Sequence, residues 1–214
     1  QAAGLSATQE AVALFRHGLE LLEQLPSSED RDRLAFALRL ALYAPLTTTR
    51  GYAGDELASS HTRVERLATR LGREQDILPV LISTAGYHSF RAEFERASDL
   101  ARRGLELSES LDAPGYAVWA TQILGMTSLS TGDAAAAQRQ LDEADAIEDP
   151  DHAAMLTLRG RAPRVVHKAF SAWAQWLLGQ PHRAQRLGRE AVALAEAADH
   201  PPSLAMALFV GAII

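Results

Sequence analysis

Residues 123–144 read Ile-Leu-Gly-Met-Thr-Ser-Leu-Ser-Thr-Gly-Asp-Ala-Ala-Ala-Ala-Gln-Arg-Gln-Leu-Asp-Glu-Ala, and the fold reading starts from them. A large and a small residue stand together at Leu124-Gly125, and a turn follows at Gly132-Asp133. Beyond the turn come Ala137, Leu141 and Ala144, at the spacing of one helical face. Each has a physical purpose. Small residues let neighbouring helices cross closely, large ones fill the space between them, and the turn glycine takes backbone angles that other residues avoid. The arrangement returns around Gly179-Gln180, with Ala172, Ala184, Gly188 and Ala191 in the matching places. It returns again with Ala85, Ala97, Ala101 and Gly104 around Ala92-Glu93, where Ala92 replaces the turn glycine.

Composition agrees with helices. The 214 residues include 40 Ala and 31 Leu against 8 Val and 6 Ile, a balance that favours helix over sheet. Apolar residues at 3- and 4-residue spacing predict helices over Leu5–Leu25, Arg31–Tyr43, Asp55–Leu71, Asp76–Phe90, Phe94–Leu111, Tyr116–Ser130, Ala134–Ile147, Val165–Leu178, His182–Ala198 and from Ser203 onward. In the first of these, Leu14, Leu21, Leu22 and Leu25 share a face. Gly51 to Gly54 reads as a turn, and Glu148 to Arg164 as a loop with a short helix at Ala153–Leu158. The expected architecture is all-α: an α-α superhelix of antiparallel helix pairs, about 10–11 helices in all. Its units are 31–72, 76–112, 116–148 and 164–199, within a single domain of residues 1–214. The first unit is degenerate, with Tyr43 at a small-residue position and a turn lengthened by Thr47-Thr48-Thr49. Partial units at both ends lack polar capping helices, which points to a piece of a longer protein.

The small-residue and Gly-Asp pattern resembles the tetratricopeptide repeat. More widely, Leu40 to Phe209 resembles the tetratricopeptide region of large bacterial signalling ATPases that also carry cyclase, kinase or transcriptional-regulator domains. The stretches that prompt this are Thr49-Arg50-Gly51-Tyr52-Ala53, Ala68-Thr69-Arg70-Leu71-Gly72, Ala174-Gln175-Trp176-Leu177-Leu178-Gly179-Gln180-Pro181 and His200-Pro201-Pro202-Ser203-Leu204-Ala205. Arg161-Ala162-Pro163 departs from the pattern, since relatives tend to be acidic before that proline. The resemblance implies a non-catalytic interaction and regulatory module, with any chemistry of the parent protein in other domains. It also implies that first helices line a concave groove, at Ile82 and Phe90, at Trp119, Gln122, Met126 and Leu129, and at Val166, Ala169, Trp173 and Trp176. Trp is enriched at binding hot spots, so these aromatic positions are the candidate partner surface.

Other chemistry finds little support in the pattern. The chain has no Cys, which removes disulfides and thiolate sites. Gly51-Tyr52-Ala53-Gly54 lacks the Lys-Ser/Thr of a phosphate loop. No two of the seven histidines sit at helical ligand spacing, so they read as solvated or capping, and neither a metal nor a cofactor is expected. The carboxylates from Asp142 to Asp151 read as a solvated surface. The stretch from His152 to Arg189 carries no acid, and within it Arg159, Arg161, Arg164 and Lys168 are candidate anion contacts near a helix start. With a net charge of −6, nucleic acid is a disfavoured partner. The expected partner is a protein, a peptide or another domain of the parent chain. A homodimer through exposed apolar ends and a small-molecule sensor are the alternatives. No apolar run suits a membrane span, and Gln1 to Glu10 lacks a signal pattern, so the expected location is cytoplasmic.

Overall fold

The computed structural model describes residues 2–50, 55–147, 162–212 and 214, with side chains at 2–6, 48, 50, 55 and 58 excepted. The helices are α1 (Ala2–Glu23), α2 (Glu29–Ala41), α3 (Tyr43–Arg50), α4 (Asp55–Leu71), α5 (Glu74–Phe90), α6 (Phe94–Ser110), α7 (Pro114–Ser130), α8 (Ala134–Ala146), α9 (Pro163–Leu177), α10 (Pro181–Ala197) and α11 (Pro201–Gly211). No strand occurs among the described residues. The expected turn at 51–54 and the expected short helix at 153–158 lie outside them. The fold is all-helical, built of neighbouring helix pairs, and divides into two compact units, Gln1–Val80 and Leu81–Ile214.

In the first unit α1 packs on α2 and α3, and α2 packs on α4. Phe36, Val64, Leu67, Ala68 and Val80 form the core there. Two sequence expectations are corrected. The Thr47-Thr48-Thr49 stretch is not a lengthened turn but part of α3. Leu46 and Ala44 are buried on that helix. The Thr47 and Thr49 hydroxyls donate back to the carbonyls of Ala44 (2.9 Å) and Pro45 (2.8 Å), so these side chains satisfy themselves on the helix. On α1 the leucine stripe is not the buried face: Leu14, Leu21 and Leu25 are exposed, while Val12 and Leu19 are buried. The inward face is the one carrying Gly18, where an added Cβ would stand 3.1 Å from Leu38 Cδ1. Close approach selects the face, and leucine count does not.

In the second unit each helix from α6 to α11 packs on the next, and α9 also packs on α7 and α11. Five of the described connections share one chemistry. Ala92, Asp112, Gly132, Gly179 and Asp199 all have positive φ, between 46° and 94°. Each is followed by a residue whose N–H returns to the carbonyl five positions back: Glu93 to His88, Ala113 to Ser108, Asp133 to Ser128, Gln180 to Gln175 and His200 to Ala195. This six-to-one bond closes the last turn of a helix, satisfying carbonyls that would otherwise be orphaned. The same residue then begins the next helix, so each of these five connections is only a few residues long. At Asp133 the side chain also accepts from Ala136 N–H at 2.9 Å, capping α8. Pro114, Pro163, Pro181 and Pro201 open α7, α9, α10 and α11, where a missing N–H costs nothing.

The small residues singled out in the sequence sit at the closest helix contacts. A Cβ on Gly125 would meet Leu141 Cγ at 2.9 Å and the Ala137 carbonyl oxygen at 3.3 Å. One on Gly104 would meet Ile82 Cδ1 at 2.2 Å. Ala85, Ala97, Ala101, Ala137, Ala172, Ala184 and Ala191 are wholly buried. Their neighbours form two clusters. One joins Met126, Leu129, Leu141, Val166 and Phe170, and the other joins Val165, Ala169, Ala191, Ala207 and Val210.

Two opposite responses to glycine exchange follow. Nothing lies within 4 Å of a Cβ added at Gly132, so Gly132→Ala carries only left-handed backbone strain, an expected loss of about 1 kcal/mol. Ala92→Gly relieves that strain and should gain a similar amount. Gly125→Ala overpacks Leu141 and should lose about 1–3 kcal/mol despite alanine's better helix propensity. Urea denaturation of the three variants beside the parent checks all of these signs.

Candidate functional site

The groove positions proposed from sequence divide into buried and exposed sets. Ile82 is wholly buried beside Gly104, and Trp119, Gln122 and Met126 are buried within α7. The reason is that α7 has α6, α8 and α9 packed around it, which leaves its expected concave face covered. Trp173 is half-buried, stacked on Phe170 with centroids 6.3 Å apart, and it packs against both core clusters. Phe90 (41% exposed) and Trp176 (40% exposed) reach solvent at the last turns of α5 and α9. Leu177 and Leu178 are exposed next to Trp176 in the chain and were not singled out by spacing. A second apolar surface lies at α10 and α11. There Leu208 and Phe209 are exposed beside a hollow of about 690 Å3 lined by Val192, Gly211, Ala212 and Ile214 among others.

Gln122 has a structural engagement. Its Nε2 donates to the Pro163 carbonyl (2.9 Å), tying the middle of α7 to the first residue of α9. The next tie in the series comes from Ala162 N–H, which donates to Ser203 Oγ at 2.9 Å and joins the start of α9 to the start of α11. His200 caps α11 and its Nδ1 lies 2.9 Å from the same hydroxyl. Buried hydrogen bonds of this kind fix register, because a slip of one helix would leave each group desolvated and unpaired.

A recess of about 490 Å3 opens between α7, α8 and α9, lined by Gln122, Asp145, Ile147, Pro163, Arg164 and His167 with Val118 and Ala144. Of the candidate anion contacts, Arg164 is exposed on its rim. Lys168 is engaged with Glu190 (3.2 Å), and Arg159 and Arg161 lie outside the described residues. Neither Trp119 nor Trp173 lines this recess. In it, His167 is buried with Nε2 at 3.6 Å from Asp145 Oδ2. Burial pushes its pKa below the usual histidine value, outweighing the opposing pull of Asp145. His61 and His88 are buried too, and His88 meets Glu93 through Nδ1. These three histidines are therefore core residues, not solvated ones as the sequence reading had them. The apolar body of the imidazole packs in the core, as where Tyr43 meets His61 edge-on with ring centroids 5.4 Å apart.

Among the described residues no group of three or more His, Asp or Glu side chains is placed to hold a metal ion, and no helix is long and apolar enough to cross a membrane. No protein-family model matches the chain, and no curated protein matches it.

The buried histidine gives a pH dependence of known sign. With its folded pKa below the unfolded value, the unfolded state binds the proton first, so stability falls as pH drops through about 6.5 toward the folded pKa. Denaturation midpoints should decline as pH falls below about 6.5, and His167→Gln should flatten that decline. Separately, Gln122→Ala should cost about 1–3 kcal/mol by leaving the tie to Pro163 unmade.

Proposed function

We propose that the chain is a tetratricopeptide-like helical solenoid serving as a non-catalytic interaction and regulatory module, as in the bacterial signalling ATPases that its sequence resembles. The supporting observation is the succession of helices in residues 81–214. At five junctions they are joined by left-handed three-residue turns, and they are packed through glycine and alanine at the positions that the repeat pattern requires. Such arrays present extended surfaces made from equivalent positions of successive units, which suits recognition of a peptide, a protein or a neighbouring domain.

In this reading the partner surface is narrower than the full set of groove positions. Ile82, Trp119, Gln122 and Met126 support it from the core, and contact falls to Phe90, Trp173, Trp176, Leu177 and Leu178, whose apolar area is available to a partner. A second reading is self-association through α10 and α11, favoured by the exposed Leu208 and Phe209 beside their hollow.

Two exchanges separate these readings. Under the first, Trp176→Ala with Phe90→Ala abolishes capture of a partner protein or parent domain that the unaltered chain retains. Leu208→Asp with Phe209→Asp leaves that capture intact. Under the second, the molar mass measured by light scattering exceeds that of the 23.1 kDa chain and falls to it in the α11 variant alone. Equal capture by the parent and the Trp176 variant removes the first reading.

A further inference from the structure

The first unit holds a basic cleft that neither the repeat pattern nor the interaction surface uses. On α4, Arg63, Arg66 and Arg70 recur at spacings of three and four, so one side of that helix carries a row of guanidinium groups. Across from them on α2 stand Arg31 and Arg39, and all five arginines line one cavity of about 260 Å3. The apolar lower parts of its wall are Leu19, Leu22, Ala35 and Leu67.

The acids present do not balance this charge. Asp32, buried in the wall, accepts from Arg70 Nη1 at 2.7 Å and from Arg31 Nη2 at 3.4 Å. Arg31 also donates to the Leu25 carbonyl (3.1 Å) and to Ser27 Oγ (3.3 Å), so its donors are largely spent. Among the described residues no hydrogen bond or ion pair engages Arg39, Arg63 or Arg66. Glu23, the remaining acid of the wall, attracts Arg39 through its charge. The strain of this arrangement registers on Arg39. Burial first, and then the charge of Arg63, make its guanidinium less favourable to protonate than usual. The neighbouring hollow of about 250 Å3 shares Arg39, Arg63 and Glu23 with the cleft and adds Glu20 and an Arg16 that is already paired, its two donors 2.6 and 2.9 Å from Glu56.

Unspent guanidinium groups that converge on one small cavity from two helices form a site for a multiply charged oxyanion. Guanidinium forks present paired N–H donors that match phosphate oxygens, and a dianion relieves the mutual repulsion of the arginines more than a single carboxylate does. The cavity volume suits a phosphoryl group with a few attached atoms. We propose that the cleft between α2 and α4 binds a phosphate monoester, with Arg39, Arg63 and Arg66 as its direct ligands and Asp32 holding Arg31 and Arg70 in place around it. The proposal does not rest on the interaction reading above.

The test is calorimetric titration of the full chain at fixed chloride concentration with two probes, glycerol 3-phosphate and a short phosphoserine peptide. Saturable binding of either probe is expected, weakened about tenfold or more in the Arg63→Gln/Arg66→Gln double variant and in Arg39→Gln. It should be unchanged in Arg183→Gln/Arg186→Gln, where exposed arginines lie outside the cleft. Binding of both probes makes the phosphoryl group itself the recognised element. Binding of the peptide alone places the phosphate on a protein, and binding of glycerol 3-phosphate alone places it on a small molecule. Because Arg63 and Arg66 are exposed, the double variant retains its fold, verified by circular dichroism, and decides the matter should Arg39→Gln unfold. The absence of saturation by either probe up to about 10 mM overturns the proposal, as does equal affinity in the parent and the double variant.

Discussion

Helices can lie as close as Gly125 lies to Leu141 and Ala137 only where the side chain between them is a hydrogen or a methyl group. The second unit depends on that constraint. With Ala97, Ala101, Ala137, Ala184 and Ala191 wholly buried, little side-chain volume separates the helices, and the larger residues Leu141, Val166 and Phe170 are left to fill what remains. The turns enforce the same economy. A left-handed residue and a six-to-one hydrogen bond reverse the chain in a few residues, so the following helix has little freedom except to lie against its predecessor.

From this close packing follows which apolar residues stay exposed. A helix with neighbours on three sides, as α7 has, turns even its tryptophan and glutamine inward, and Gln122 then serves as a tie to Pro163. Ties of this type, repeated at Ala162 and Ser203, hold the middle of α7 to the start of α9 and the start of α9 to that of α11. The large apolar residues Phe90, Trp176, Leu177 and Leu178 are exposed at or just beyond helix ends. The first unit uses charge differently. Its buried Asp32 organises two arginines and leaves others unopposed, whereas acid–base pairs such as Lys168 with Glu190 in the second unit are settled locally.

Much of the helical order was legible because its signals are local. Gly132-Asp133 announces a turn and a cap through backbone angles and one side-chain oxygen, and both are found there. Gly104, Gly125 and Gly188 announce close contacts through missing side-chain volume, and each is hemmed in by a neighbour's side chain. The candidate surface was less legible. Trp119 and Trp176 both fall on the expected groove face, yet Trp119 lies inside α7 and is buried while Trp176 stands in the last turn of α9 and is exposed. The arginine row on α4 was visible as a spacing, yet its meeting with Arg39 depends on how α2 lies against α4.

The sequence by itself determined the helical class, the turn positions, the caps and the close-contact residues, because each of these depends on atoms within a turn or two of chain. Tertiary structure alone decided that α1 buries Val12 and Leu19 and not its leucine stripe, and that Thr47 and Thr49 belong to a helix. It also decided that His61, His88 and His167 are core residues, and that five arginines share one cavity. Those outcomes depend on which surface a distant segment covers, and burial and electrostatic free energies are set by such neighbours in space, whatever their separation along the chain.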